Sequence, residues 1–404
     1  MRIWDFKTKS PLLTGIAFAI VIICFCALPT FGMRTHKLLD QIGPNDAMLL
    51  ANPDGTVILS KNADRLRTPA STLKILTALA AIHVLGDDYC FKTEFYLDKG
   101  QNLVIKGYGD PFLVSERVES ISGRLAKKIS SINDILIDDT FMDRPVRVPG
   151  AGRHSFQPYD APNGALCVNF NTVYYKQVHG KYVSAEPQTP LLPMALKRIP
   201  KNGPACGRIL LTSDGDEAAI YAGELFAFFL RKNGVRISGH VRRGTTGHSS
   251  ERHVLTACSP PLTGIIQKTF QYSNNFMANQ MMLATGARQY GPPATLEKGV
   301  HAISEFSKSE LGIHPILAEG SGISRKNRIS ASMFLKVLMG MRPYHRLLKH
   351  EGRAFFKTGT LANVRNIAGY IKGKDGLYPF VIFINTPGGK TDGIFKNLKR
   401  LVPE

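Results

Sequence analysis

The chain has 404 residues, of which 44% are hydrophobic and 20% charged; this fits a globular protein of about two or three domains and excludes wholesale disorder. Its formal net charge of +20 implies anionic surroundings such as a membrane surface, an acidic polymer or nucleic acid. The basic residues are spread along the chain, and no zinc-type Cys/His spacing, phosphate-binding glycine loop or RNA-binding aromatic signature accompanies them, so nucleic acid is not an expected partner.

In chain order, Arg2, Lys7 and Lys9 precede a charge-free run from Ser10 to Met33. A basic start and an apolar segment near the roughly 20 residues that span a bilayer predict a signal peptide or membrane anchor over residues 1–33. The protein is therefore expected to be exported, to the periplasm or cell envelope, with anchoring to the inner membrane if the segment is retained. Cys24 and Cys26 lie in this segment without a convincing lipid-attachment motif. Cys90, Cys167, Cys206 and Cys258 follow it, where disulfides are allowed but their pairing is open.

Asp46–Ala51 and Thr56–Ser60 read as strands joined by the turn signal Asn52-Pro53-Asp54-Gly55. Next comes Thr68-Pro69-Ala70-Ser71-Thr72-Leu73-Lys74. Thr68 as N-cap and Pro69 at the first helical position predict a helix start, with Ser71 and Lys74 on one face. Lys74 is the only charged residue between Thr68 and Gly86, and apolar residues surround this helix, so it should be buried. A buried Lys has a lowered pKa and can take the proton of a Ser one turn away. Alone, Ser-x-x-Lys is so frequent by chance that it is more often a surface Ser beside a snorkelling Lys than a catalytic pair.

From Phe91 the texture changes. Short strand-like runs at Lys92–Leu97, Asn102–Lys106 and Ile132–Asp138 flank an amphipathic segment, Glu116–Ile129, and precede a Pro-rich stretch, Pro187–Pro204. Ile209–Thr212 resumes as a strand, Glu217–Lys232 as a helix and Val235–Arg242 as a strand, before a polar linker, Gly244–Arg252. Residues 91–252 thus read as an inserted α+β module between two parts of another domain, 34–90 and 253–404.

Tyr272-Ser273-Asn274-Asn275-Phe276 separates helical patterns at Leu262–Phe270 and Phe276–Leu283. Ser273 can relay a proton, and the Asn275 amide can orient a Lys and hold a substrate amide; the alternative is a helix N-cap at Ser273. Arg353–Leu361 predicts a strand with Asn366–Ile371 as its hairpin partner. Within it Lys357 offers a cation and Thr358 and Thr360 hydroxyls, while Gly359 permits close approach of a ligand backbone.

Ser71–Lys74, Ser273–Asn275 and Lys357–Gly359 stand in the order Ser-x-x-Lys, Ser-x-Asn, Lys-Thr-Gly of β-lactamases and penicillin-binding proteins. The chain resembles the penicilloyl serine transferases. More closely, it resembles the D-Ala-D-Ala carboxypeptidase/endopeptidase family typified by penicillin-binding protein 4 (low-molecular-mass class C). Lys106–Pro111 and Ile137–Phe141 are similar to that family's inserted domain, and Glu319-Gly320-Ser321-Gly322-Ile323-Ser324-Arg325 to its Asp-Gly-Ser-Gly-Leu-Ser-Arg segment. Glu319 replaces the usual Asp, a change expected to affect packing. The stretch 172–209 is shorter than in many relatives.

The resemblance implies an α+β β-lactamase/transpeptidase-like domain, an antiparallel sheet flanked by helices, carrying an inserted α+β domain. It implies a serine DD-peptidase that removes terminal D-Ala from peptidoglycan stem peptides, can cleave D-Ala-diamino acid cross-links, and binds β-lactams covalently. Ser71 would be the nucleophile, Lys74 its base, Ser273 and Asn275 proton carrier and amide holder, and Lys357 a catalytic cation that binds the substrate carboxylate with Thr358. Gly359 and Thr360 would complete substrate binding, and the backbone N–H groups of Ser71 and Thr360 would form the oxyanion hole. No metal or organic cofactor is implied. A β-lactamase, or a non-enzymatic cell-wall binding protein on the same fold, are the alternatives; the inserted region disfavours the first and the complete residue set the second.

Overall fold

The computed structural model describes residues 35–143, 145–152, 155–200, 203–212, 215–245 and 251–404. The expected signal or anchor over 1–33, with Cys24 and Cys26, lies outside the described residues.

The hairpin read from the turn signal is present as β1 (Ala47–Ala51) and β2 (Val57–Lys61), with Gly55 at φ +93° closing the turn. The helix of the Ser-x-x-Lys stretch is α1 (Lys74–Leu85), preceded by a 3₁₀ turn, Ala70–Leu73. The expected cap is not there. Thr68 does not cap α1: its hydroxyl accepts from the Arg328 guanidinium, while its N–H donates to Asn385 Oδ1 and its carbonyl accepts from Asn366 Nδ2, so the chain enters the turn pinned to the sheet. The turn closes instead through Thr72 Oγ1, which donates to the Pro69 carbonyl.

The following region contains β3 (Lys92–Leu97), β4 (Leu103–Gly107), α2 (Ser115–Ala126), β5 (Ile135–Asp138), β6 (Thr172–Val178), β7 (Lys181–Ser184), β8 (Cys206–Leu210), α3 (Gly215–Lys232), β9 (Val241–Arg243) and β10 (Arg252–Cys258). The expected strand Val235–Arg242 is interrupted: only 236–237 and 241–243 pair, each parallel to a different segment. A five-stranded mixed sheet, β9-β5-β4-β3-β10, packs with α2 and α3 around Phe95, Ile105, Val118, Ile137 and Phe226. Because β10 pairs with β3, this sheet includes residues on both sides of position 252. A three-stranded sheet, β7-β6-β8, lies beside it, and the Pro-rich stretch contains a short helix, Pro193–Arg198.

The chain then runs through α4 (Leu262–Tyr272), α5 (Asn275–Tyr290), α6 (Leu296–Ser309), α7 (Ala331–Met341), β11 (Lys349–Glu351), β12 (Ala354–Leu361), β13 (Val364–Gly373), β14 (Gly376–Ile384) and α8 (Asp392–Leu401). The main sheet is antiparallel, in the order β11-β12-β13-β14-β1-β2. Alternation along β1 explains its all-apolar sequence. Ala47, Leu49 and Ala51 face the core built with α1, α5 and α7, while Met48 and Leu50 face a second core under α8. This is the α+β, antiparallel sheet-and-helix architecture expected from the sequence. The described cysteines Cys90, Cys167, Cys206 and Cys258 are free thiols.

Candidate active site

The N-terminal turn of α1, the α4–α5 junction and the edge of β12 bring three distant segments together. Lys74 is fully buried, and its Nζ lies 2.9 Å from Ser71 Oγ, 2.8 Å from Asn275 Oδ1 and 2.7 Å from the Ser321 carbonyl. Two of these three partners are carbonyl oxygens that can only accept. A neutral amine has two N–H groups and one lone pair; donating to Asn275 and Ser321 uses both donors and leaves the lone pair facing the Ser71 hydroxyl. Burial pushes Lys74 well below the ordinary lysine pKa; the Lys357 charge adds to this, and the Glu319 carboxylate opposes it.

Ser273 does not cap α5. It ends α4 in the left-handed region, φ +51°, and Asn274 is the cap, its side chain accepting from Met277 N. This left-handed turn puts Ser273 Oγ 2.9 Å from Lys357 Nζ, which also donates to the Thr358 carbonyl. Asn275 begins α5 and donates through Nδ2 to the Tyr159 carbonyl, an anchor from the intervening region. Lys357 is buried, and desolvation lowers its pKa to about 8. Its neighbours Thr358 and Thr360 are exposed on β12.

The space left by Gly359 is filled by the chain itself. A β-carbon there would lie 2.8 Å from the Pro69 carbonyl and 3.0 Å from Ser71 N, so strand and nucleophile turn are in backbone contact. Asn366, opposite Gly359 on β13, clamps the same turn by donating to the Thr68 and Pro69 carbonyls. Ala70 is consequently held at φ +48°, a left-handed conformation unusual for a residue with a β-carbon.

Sequence reasoning did not give Glu319 a place in the site. Its carboxylate is buried and accepts from the backbone N–H groups of Ser321, Gly322 and Ser324, the Ser321 hydroxyl, and the amides of Asn279 and Asn327. The turn wrapped around it carries the Ser321 carbonyl that touches Lys74. Gly322, at φ +86°, abuts Ala70; a β-carbon there would lie 1.9 Å from the Ala70 carbonyl. The sequence cue was an acidic residue beside a Gly-Ser-Gly run, a pattern that suits a carboxylate collecting backbone N–H groups.

A buried Lys joined to a Ser hydroxyl, a second Lys–Ser pair, an Asn and an edge strand on one helix-flanked antiparallel sheet define a serine acyl transferase of the penicillin-binding type. The family model for the D-Ala-D-Ala carboxypeptidase 3 (S13) family matches residues 46–348, and the chain belongs to that family. It is 24% identical over 443 residues, 96% of this chain and 89% of the relative, to D-alanyl-D-alanine carboxypeptidase DacB of Haemophilus influenzae. It is 25% identical over 413 residues to a D-alanyl-D-alanine carboxypeptidase of an Actinomadura species, covering 83% of this chain and 76% of that one. The crystal structure of penicillin binding protein 4 (dacB) from Haemophilus influenzae superposes with a TM-score of 0.72 at 21% identity, over 91% of this chain and 98% of that chain. That Haemophilus protein has also been solved in complex with a β-lactam.

Proposed function

We propose that this serine-type D-Ala-D-Ala carboxypeptidase acts on peptidoglycan stem peptides through an acyl-enzyme on Ser71. The reading rests above all on the Lys74 lone pair, directed at Ser71 Oγ by two acceptor-only partners. Ser71 attacks the carbonyl of the penultimate D-Ala while Lys74 takes its proton. The backbone N–H groups of Ser71 and Thr360 stabilise the developing oxyanion, worth about 10²–10³ in rate per donor. Asn275 fixes Lys74 and a substrate amide. The proton that Lys74 took then moves to the leaving amine with Ser273, hydrogen-bonded to Lys357, as the relay, so that Lys74 is neutral again and Lys357 keeps its charge. Lys357, Thr358 and the Gly359–Thr360 edge hold the peptide and its terminal carboxylate. Water then attacks the ester as neutral Lys74 takes its proton, and Lys74 returns that proton to Ser71 Oγ as the shortened peptide leaves. When the cleaved amide joins D-Ala to a diamino acid, the same steps open a cross-link. β-Lactams, as cyclic amides presenting a carboxylate to the same groups, acylate Ser71. The substrate places the protein in the cell envelope, and the apolar run 10–33 is the proposed anchor or export signal.

Purified monomeric and cross-linked muropeptides, analysed by mass spectrometry, test the proposal. Loss of one D-Ala from monomers and splitting of dimers are expected; intact substrates with wild-type protein would refute it. The pH profile is a second expected result. The lowered pKa of Lys74 favours the neutral base, and kcat/KM declines near pH 8 as free-enzyme Lys357 loses the charge that holds the carboxylate. In Lys357→Arg, whose guanidinium stays charged, the alkaline decline disappears whatever the absolute rate. An unchanged alkaline limb would remove Lys357 from carboxylate binding.

A further inference from the structure

The helix α8 packs on the face of the main sheet opposite α1, through Ile394 and Leu398, together with Leu38 and Ile42 from the start of the described chain. Its other side exposes Lys396 and Arg400. Lys37 and Arg400 flank a cavity of about 420 Å³ that Leu38 and Leu401 also line. Lys374 joins them from the β13–β14 turn, where its N–H donates to the Pro403 carbonyl. None of these four cations has an acidic partner among the described residues. Of the acids nearby, Asp40 is hydrogen-bonded to His36 and Glu404 pairs with Arg353.

Met33 ends the charge-free run only four positions before Lys37, a tether of at most about 14 Å. If that run enters a bilayer, this face lies at the headgroups. Unpaired cations around a small apolar-lined cavity suit a phosphate on an acyl chain. The catalytic groove does not use these residues, and they supply a local reason for the basic balance of the chain.

We propose that α8 and the segment around Lys37 form a membrane-facing surface that binds anionic phospholipid headgroups and orients the catalytic domain over the bilayer. The proposal rests on residues 10–33 entering the membrane, and not on the catalytic reading. Each Lys or Arg near an anionic leaflet strengthens binding about fivefold, so three contribute about a hundredfold.

The test uses the full chain on phosphatidylcholine vesicles with and without phosphatidylglycerol, each carrying a photoactivatable lipid of the same headgroup. After irradiation, adducts are mapped by mass spectrometry. Adducts on residues 392–404 are expected with phosphatidylglycerol and about a hundredfold fewer in K37E/K396E/R400E. Circular dichroism and thermal denaturation, compared with the unsubstituted protein, verify that the variant is folded. Equal adducts in the variant, or equal adducts with phosphatidylcholine, would overturn the proposal. So would adducts confined to residues 10–33, which would leave the anchor standing without the face. Loss of binding to insoluble peptidoglycan in the variant, with lipid adducts unchanged, would assign the face to an anionic wall polymer instead.

Discussion

Lys74→Met is expected to leave a folded protein that no longer acylates. Methionine nearly matches the buried length of the lysine stem, and removing a fully desolvated amine offsets much of the cost of leaving Asn275 Oδ1 and the Ser321 carbonyl without donors, about 1–3 kcal/mol each. Catalysis has no such compensation. Among the described residues, Lys74 is the only titratable group hydrogen-bonded to Ser71 Oγ, so Ser71 keeps its proton and the acylation rate falls by about 10³-fold or more. Intact-mass spectrometry after incubation with a β-lactam reads this directly, with Ser71→Ala as the zero of the scale. Rapid acylation of Lys74→Met would show that another group is the base.

Glu319→Ala is expected to damage fold and activity together. The alanine leaves a cavity and strips an acceptor from three backbone N–H groups, a hydroxyl and two amides, all in the interior. Removing one partner from a buried charged network costs about 3–5 kcal/mol, a fall in Tm of about 5 °C for a protein of this size. Activity falls further than stability accounts for, because the Ser321 carbonyl that orients Lys74 and the Gly322 contact with Ala70 both belong to the released turn. Glu319→Asp separates the two effects: it keeps the charge and should retain most acylation. Thermal denaturation and β-lactam labelling, measured on the same samples, check this. Full acylation by Glu319→Ala at temperatures where it is folded would reduce Glu319 to a packing residue.

The local elements were legible because each is written in short-range chemistry. The Asn52–Gly55 turn and the apolar runs of β1 and the start of β12 can be read without knowing what they pack against. So can the unbroken apolar surface around Lys74, which implied its burial. The helix start was misplaced for the opposite reason. Thr68 has the composition of a cap, but its hydroxyl is taken by Arg328 and its backbone groups by Asn366 and Asn385, all remote along the chain. Ser273 shows the same limit: in isolation its preferences suit a cap, whereas a left-handed turn between two packed helices aims it at Lys357.

Residue identity thus specified the reactive groups, the order of the three motifs and the resemblance they carry, because a nucleophile, a lysine base and a strand-forming run are properties of side chains and short segments. The direction of the Lys74 lone pair, the use of Gly359 for the chain's own backbone and the structural role of Glu319 arose in the folded molecule. Each depends on backbone carbonyls and N–H groups of residues remote in sequence, and every residue carries the same backbone groups until folding brings particular ones together.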